Sequence, residues 1–485
     1  MAGMVREMVL STLLLLNILA QTPKDWAHIL ERGILFAQQN RLREAELEFD
    51  SIPPSAPVYW QAQYYSAVAK AQLHKVDAAR AILDKFVARY PDHKDAHYLL
   101  GMLLEEAGKF KEAEARLRTV TSLSPGDPRG WIALGRVLEA QGNSEAALRA
   151  WKKAEEQSPG HPSLSALMGG GYYKLGKFKE AIGYLLPAWQ ADSQDLELAI
   201  QLATSYAALK DTANLEGMFA ILPKEMLADV ELAAGLMLVG AGDEGQGFTY
   251  LIKAAGARPH DFKTQRILAD SMLKCGLYED AQRAYRDCLA IKPDDGETVF
   301  YLGRAYYEDR KIAEAREQYL EAVKIISDSP TAWFHLGIAN RALQRNSEAS
   351  EAFLKSLGRE SNNAEVLYHL GMVALSDQDL TGAERYFQQA ISSAPAHAGA
   401  LYELGRHWLT QGKIEEGLAK IEEVIKHNPN HTQAHYQRGM ALRRLGRMEE
   451  AMREFALFQK LEQDDRERRK IIEKKVLVPK AQPPG

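Results

Sequence analysis

Between residues 128 and 161 apolar residues recur at helical spacing in two runs with a break between them. Trp131, Leu134, Gly135 and Leu138 share one face of a first helix. Gly142-Asn143-Ser144 interrupts the pattern, with Ser144 placed to cap a second helix. Ala146, Ala147, Trp151 and Ala154 form the facing stripe of that second helix, and Pro159 ends it because proline cannot continue the backbone ladder. The small Gly135 and Ala147 fall where two packed helices approach most closely, and the large residues fill the space on either side. The pattern predicts a helix–turn–helix hairpin.

The hairpin repeats. Marker pairs Gly33/Ala45, Ala67/Ala79, Gly101/Ala113, Gly135/Ala147 and Gly169/Ala181 succeed one another at a spacing of 34 residues. A sixth repeat, from about Leu196, keeps Leu202, Ala203 and Tyr206, but Leu215 takes the small-residue slot and Pro223 comes early. Register resumes at Gly235, after 32 residues instead of 34. The seventh repeat has an almost wholly apolar first helix, Leu232 to Val239, and then Gly240, Gly242, Gly245 and Gly247. Each interior glycine weakens a helix by about 1 kcal/mol, so residues 209–247 are expected to form a hinge or flexible seam. From Ala269/Ala281 the 34-residue period holds again to Gly439/Ala451, with Gly417 replacing alanine once. Thirteen repeats run from 26 to about 465.

Trp131, Leu134-Gly135, Ala147, Trp151 and Pro159 stand at the offsets of a tetratricopeptide repeat, which this hairpin resembles; Leu138 departs from the usual tyrosine. The resemblance implies an all-α, right-handed superhelical solenoid of antiparallel helix pairs. The weak repeat would divide it into an N-terminal array, 26–227, and a C-terminal array, 228–465, with 466–485 as a capping helix and frayed tail. The resemblance further implies that positions 5, 9 and 12 of each first helix face a concave groove. Over the last five repeats position 5 reads Phe300, Phe334, Tyr368, Tyr402 and Tyr436. Position 9 reads Arg304, Ile338, Met372, Arg406 and Met440, and position 12 reads Tyr307, Arg341, Leu375, Leu409 and Arg443. Aromatic and arginine side chains anchor binding surfaces, and methionine adapts to varied partners. The same aromatics also suit packing between repeats, and the pattern leaves both uses open. In the fourth to seventh repeats position 5 is Ile132, Ala166, Ile200 and Leu232, a smoother wall.

The function implied is a non-catalytic scaffold that binds an extended or helical segment of a protein or peptide partner. Apolar side chains would rest on Tyr368, Tyr402 and Tyr436, and acidic groups would meet Arg304, Arg341, Arg406 and Arg443. Replacing Tyr402 and Arg406 by alanine is expected to weaken capture and leave the helices intact. Two family subtypes do not fit: positions 6 and 9 lack the asparagine of the chaperone-binding clamp, and position 6 reads Tyr301, His335, His369, Glu403 and Gln437 in place of an asparagine ladder.

Charge changes the picture little. Lys and Arg number 60 against 65 Asp and Glu, formally −5, without the basic stripe that nucleic acid requires. Gly171 to Lys177 imitates a phosphate loop, but Phe178 replaces the magnesium-binding hydroxyl and no strand precedes it, so no nucleotide is expected. His427, His431 and His435 are spaced by four, yet Pro429 breaks the helix between them. No cofactor or metal is expected. An enzyme with a hidden metal site at His427 and His431 is the alternative. Cys275 and Cys288 fall at opposite ends of one helix pair, poorly placed for a disulfide.

Residues 1–25 stand outside the repeat, and 1–20 of them form a leader-like segment. The apolar run Met8 to Ala20 is shorter than the roughly 20 residues of a membrane span and ends on a small residue before Gln21-Thr22-Pro23. It reads as a secretory signal, with an uncleaved anchor or a buried capping helix as alternatives. The expectation is an exported, periplasmic or extracellular protein, and by analogy a component of a cell-envelope assembly, a polysaccharide-export complex or another membrane-associated complex.

Overall fold

The computed structural model describes residues 24–160, 162–358 and 362–476. The leader-like segment 1–20 and the tail beyond 476 lie outside them. Over the described residues the chain is an all-α repeat array of twenty-six helices, thirteen antiparallel pairs, with no strand. No helix among them is long and apolar enough to cross a membrane.

The fourth repeat shows why these residues fold this way. Asp127 caps the first helix, Pro128–Ala140, by accepting from the Arg129 amide at 3.0 Å, and Pro128 enters where its missing N–H costs nothing. The helix ends on Gly142 at φ +78. Asn143 N–H reaches back to Leu138 O (3.0 Å) and Gly142 N–H to Glu139 O (2.8 Å), closing the last carbonyls. Asn143, rather than Ser144, then caps the second helix, its side chain accepting from Ala146 N–H at 3.1 Å. The asparagine side chain spans the distance that the next residue, already helical, is past.

Within each pair the two small slots are buried. Ala147, Ala349 and Ala383 are wholly interior. A Cβ at Gly337 would stand 2.6 Å from the Phe353 ring, so glycine is what lets the aromatic of the second helix lie across the first. Neighbouring repeats are tied by a recurrent bond from position 4. Trp131 Nε1 donates to Pro125 O (2.8 Å), Trp333 Nε1 to Ser327 O (2.7 Å), and the His97 and His435 rings to Pro91 O and Pro429 O (2.8 Å each).

The chain divides into two bodies, to Tyr250 and from Leu251, inside the helix Glu244–Ala257. In the N-terminal body one apolar core runs from Tyr64 to Tyr250. The irregular sixth repeat has its physical form there. Its second helix is cut to eight residues, Thr212–Phe219, and the next helix, Lys224–Gly240, extends to seventeen and packs directly on Leu196–Ala208. The glycines after it do not break helix: Glu244–Ala257 is continuous. Gly247 serves close approach, a Cβ there falling 2.9 Å from Gly235 O. In the C-terminal body the core is a series of clusters around Tyr319, Phe353, Phe387 and Ile421. The last helix runs unbroken from Met448 to Val476, so the charged stretch from Asp464 extends the final repeat.

Candidate partner-binding wall

In the C-terminal body successive first helices lie side by side, Pro330–Ala342 touching Ala364–Ser376 and Ala398–Thr410 touching Thr432–Arg444. Positions 5, 9 and 12 sit on this wall at different depths. The position-5 aromatics bridge between elements. Phe300, only 9% exposed, packs on Tyr319 and on His335 of the next repeat, ring centroids 5.6 and 5.1 Å away. Phe334 meets Phe353 (5.9 Å) and His369 (5.5 Å), and Tyr368 meets Phe387 (6.1 Å) and His397 (5.1 Å). Tyr402 stacks on His431 at 5.1 Å. Tyr436, 37% exposed, leans on Phe455 and Phe458 and is the outermost of the five.

Two of the sequence-derived wall residues are therefore interior. Phe300 belongs to the core around Tyr319, and Leu409, 4% exposed, packs with Leu418 and Ile421. Tyr402 is a half-buried junction residue, so the alanine variant expected to spare the helices would remove a packing contact.

Position 9 is where the wall is open. Arg304 and Arg406 are exposed, and Ile338, Met372 and Met440 are half-buried. Arg406 is held by Glu403, Nη2 to Oε2 at 2.6 Å, which neutralises it. Arg304 has no carboxylate partner among the described residues. At position 12 Tyr307 and Arg341 are half-buried, and Arg341 Nε has no hydrogen-bond partner. Arg443 is exposed beside Met440, Nη2 3.3 Å from Sδ. Next to it Arg444 donates to Leu409 O at 2.7 Å.

The aromatic ladder legible in the sequence begins at residue 300 and passes over a cleft just before it. This cleft, of about 500 Å3, opens between the first helices Phe262–Lys274 and Gly296–Glu308. Tyr278, Tyr285 and Tyr301 line it, with Lys274, Arg304 and Glu308 at its edges. Tyr285 and Tyr301 are near-parallel at 6.3 Å, and the Arg266 guanidinium lies 4.7 Å from the Tyr301 ring centre. Arg266 occupies position 5, where the later repeats carry aromatics, and the change of residue type there was the available signal.

Of the three histidines of 427–435, His431 and His435 are put to separate uses. His431 Nδ1 accepts from Ala434 N–H (3.1 Å) as a helix cap. His435 is bound on one side by Glu454 Oε2 (2.6 Å) and on the other by Pro429 O (2.8 Å). Among the described residues no group of His, Cys, Asp and Glu is arranged to hold a metal ion. Gly171 to Lys174 lie inside the helix Pro162–Lys174, where a Cβ at Gly171 would meet Trp151 at 3.0 Å, so repeat packing accounts for that glycine. Cys275 and Cys288 are not joined in a disulfide; Cys288 is buried, and burial pushes its thiol up to about 11.

Family models described as tetratricopeptide repeats match residues 70–137 and 105–170, and again 368–419 and 402–461; a model described as TPR repeat matches 303–343. No curated protein matches the sequence. Among solved structures the chain is similar to YrrB, titled a TPR protein with an unusual peptide-binding site, at 20% identity over 38% of this chain and 95% of that one, TM-score 0.34. It is similar to the Cut9–Hcn1 hetero-tetramer of the APC/C at 13% identity over 87% of this chain and 97% of that one, TM-score 0.36. MamA from Desulfovibrio magneticus RS-1 shares 21% identity over 35% of this chain and 96% of that one, TM-score 0.33.

Proposed function

This chain is a tetratricopeptide-repeat protein, a protein–protein interaction scaffold, and from that premise we propose that the wall of first helices in its C-terminal body receives an extended or helical segment of a protein partner. The observation that carries this is the state of positions 9 and 12. Arg304 and Arg443 are exposed cations without a carboxylate among the described residues, set among the half-buried Ile338, Met372 and Met440. By contrast Arg406 is paired with Glu403 and Tyr402 is stacked on His431, so their charge and aromatic surface are used internally. Apolar side chains of the partner rest on Ile338, Met372, Met440 and the outer edge of Tyr436. Its acidic groups are taken by Arg304 and Arg443, where a charge-assisted bond is strongest.

A photo-crosslinking residue at Met372, expressed in the native host, tests the proposal against the same residue at the exposed Glu321 on a second helix. A discrete protein adduct from Met372 alone supports the wall as the docking face. Adducts from Glu321 alone, or none from Met372, send the partner elsewhere.

A further inference from the structure

Two consecutive repeats carry tyrosine at position 24, and their hydroxyls are treated differently. Tyr285 and Tyr319 are both interior, 0% and 1% exposed. The Tyr285 hydroxyl donates to Asp270 Oδ1 at 2.6 Å, and Asp270 is position 9 of the same repeat. Position 9 of the next repeat is Arg304, and the Tyr319 hydroxyl is buried without a hydrogen-bond partner. The other polar group at this slot, Trp151 Nε1, is satisfied by Ile132 O at 3.2 Å. A buried donor left unpaired carries a desolvation cost that a fold normally avoids.

Arg304 cannot accept the Tyr319 proton as Asp270 accepts that of Tyr285, because a guanidinium has donors only, and it makes no hydrogen bond to the phenol oxygen either. Position 9 reaches position 24 in the preceding repeat, where Asp270 holds Tyr285, and a Cβ on Gly303, the residue before Arg304, would stand 2.8 Å from the Tyr319 ring; in keeping with that placement, the Arg304 guanidinium acts against the rise that burial gives the Tyr319 phenol. Two donors therefore converge where the preceding repeat supplies its own carboxylate. Arg304 also borders the tyrosine-lined cleft, with Lys274 as a second exposed cation on its edge. Asp270, in the same cleft, is already committed to Tyr285 and to Arg266 Nε at 2.8 Å.

We propose that Arg304 and Tyr319 form a carboxylate-accepting subsite, which takes a glutamate or aspartate side chain of an extended segment of the partner protein. This rests on the docking wall proposed above and names the charge of the residue that sits at its ninth repeat. The incoming carboxylate does for Tyr319 what Asp270 does for Tyr285. The carboxylate pairs with the exposed Arg304 guanidinium and accepts from the Tyr319 hydroxyl, which has no partner of its own. The asparagine-based clamp of chaperone-binding relatives is not involved, since these positions carry none of its residues.

A displayed library of random dodecapeptides, panned on the full chain and on its Arg304→Asp and Tyr319→Phe variants, tests this. The wild-type chain should enrich peptides with an acidic residue at one fixed position about tenfold, the ratio that one charge-assisted bond supplies. Arg304→Asp should abolish that preference and raise the melting temperature, because the new aspartate accepts from Tyr319. Tyr319→Phe should weaken the preference without loss of stability, since the orphan hydroxyl is gone. Peptides enriched without any acidic position would overturn the subsite and leave the docking wall standing. An acidic preference that survives both variants would overturn the subsite as well, and failure to bind any peptide would overturn both readings.

Discussion

Tyr402 and His431 lie face to face across a repeat junction, ring centroids 5.1 Å apart and planes inclined by 28°. The pairing recurs at the same sequence separation, with more steeply tilted rings, in Tyr368–His397 (5.1 Å, 41°) and Tyr64–His93 (4.8 Å, 50°). Each histidine also caps the helix it precedes, Nδ1 accepting from Ala434, Ala400 or Ala96 N–H at 3.1 Å. One ring thus closes a helix end and glues it to the preceding repeat. Where position 5 is Arg266, the residue at the cap is Asp295, 3.6 Å away.

The two roles of His431 separate by substitution. His431→Asn keeps a capping acceptor and loses the stacked ring, and should cost about 0.5–1.5 kcal/mol. His431→Ala loses the cap as well, adding about 0.5–2 kcal/mol. In a Tyr402→Leu background the asparagine variant should cost nearly nothing further, and hydrogen exchange over Thr432–Arg444 in the four proteins measures the coupling. Equal costs in both backgrounds would mean that the rings do not interact.

The turn between the two helices places one residue at positive φ in every repeat. Seven are glycines, Gly108 to Gly446, while Asn40, His74, Lys210, Arg310, Gln344 and Gln378 adopt the same conformation at φ 56 to 63. A side chain there costs roughly 1 kcal/mol. Gln344→Gly and Gln378→Gly should each raise stability by about that amount, seen as a higher thermal midpoint. Gly142→Ala, at φ +78 with open space around it, should lower stability without any steric clash.

Acid should loosen the array through its buried histidines. Burial holds His93, His97 and His335 below their ordinary value. Burial and the Arg341 guanidinium press His369 down to about 4, against the pull of Glu365, which His397 also contacts. Each depressed group is neutral in the fold and takes its proton first in the unfolded chain. Their contribution is therefore complete above about pH 6.5 and is lost as pH falls toward 4. Urea midpoints at pH 7.5 and pH 5 should differ, and His369→Phe, which keeps the stack on Phe353 (5.4 Å, 8°), should shrink the difference.

The period of the apolar pattern was enough to place all thirteen hairpins, because a face that must be buried repeats wherever the packing does. Depth was harder to read. The spacing put Phe300 and Leu409 on the wall, but their burial is decided by Tyr319, His335, Leu418 and Ile421 on neighbouring elements. The histidine that covers Tyr64, Tyr368 or Tyr402 lies 29 residues on, at the start of the next first helix, so a scan within one helix passes over the pair. At the weak repeat Leu215 and Pro223 announced irregularity. They did not show that Lys224–Gly240 lengthens to cover the surface that the shortened Thr212–Phe219 leaves bare. The Tyr319–Arg304 mismatch becomes visible only when position 24 is compared with position 9 from one repeat to the next.

The small slot at position 8 and the large one at position 24 are matched in size, and the match can be inverted. Gly337 faces Phe353, with 2.6 Å from its would-be Cβ to the ring, whereas the second repeat pairs a buried Ala67 with a buried Leu83 at the same positions. Gly337→Ala alone forces the ring or the helix aside and should cost about 1–3 kcal/mol. Phe353→Leu alone leaves a void where the ring was and also destabilises. The double variant recreates the alanine–leucine pairing, so its loss should fall well below the sum of the two. Because long arrays do not unfold in one step, the measurement is hydrogen exchange over Pro330–Ala342 and Asn346–Leu357. Protection in the double variant no better than in Gly337→Ala would mean that the backbone spacing of this pair is fixed by other contacts than the ring.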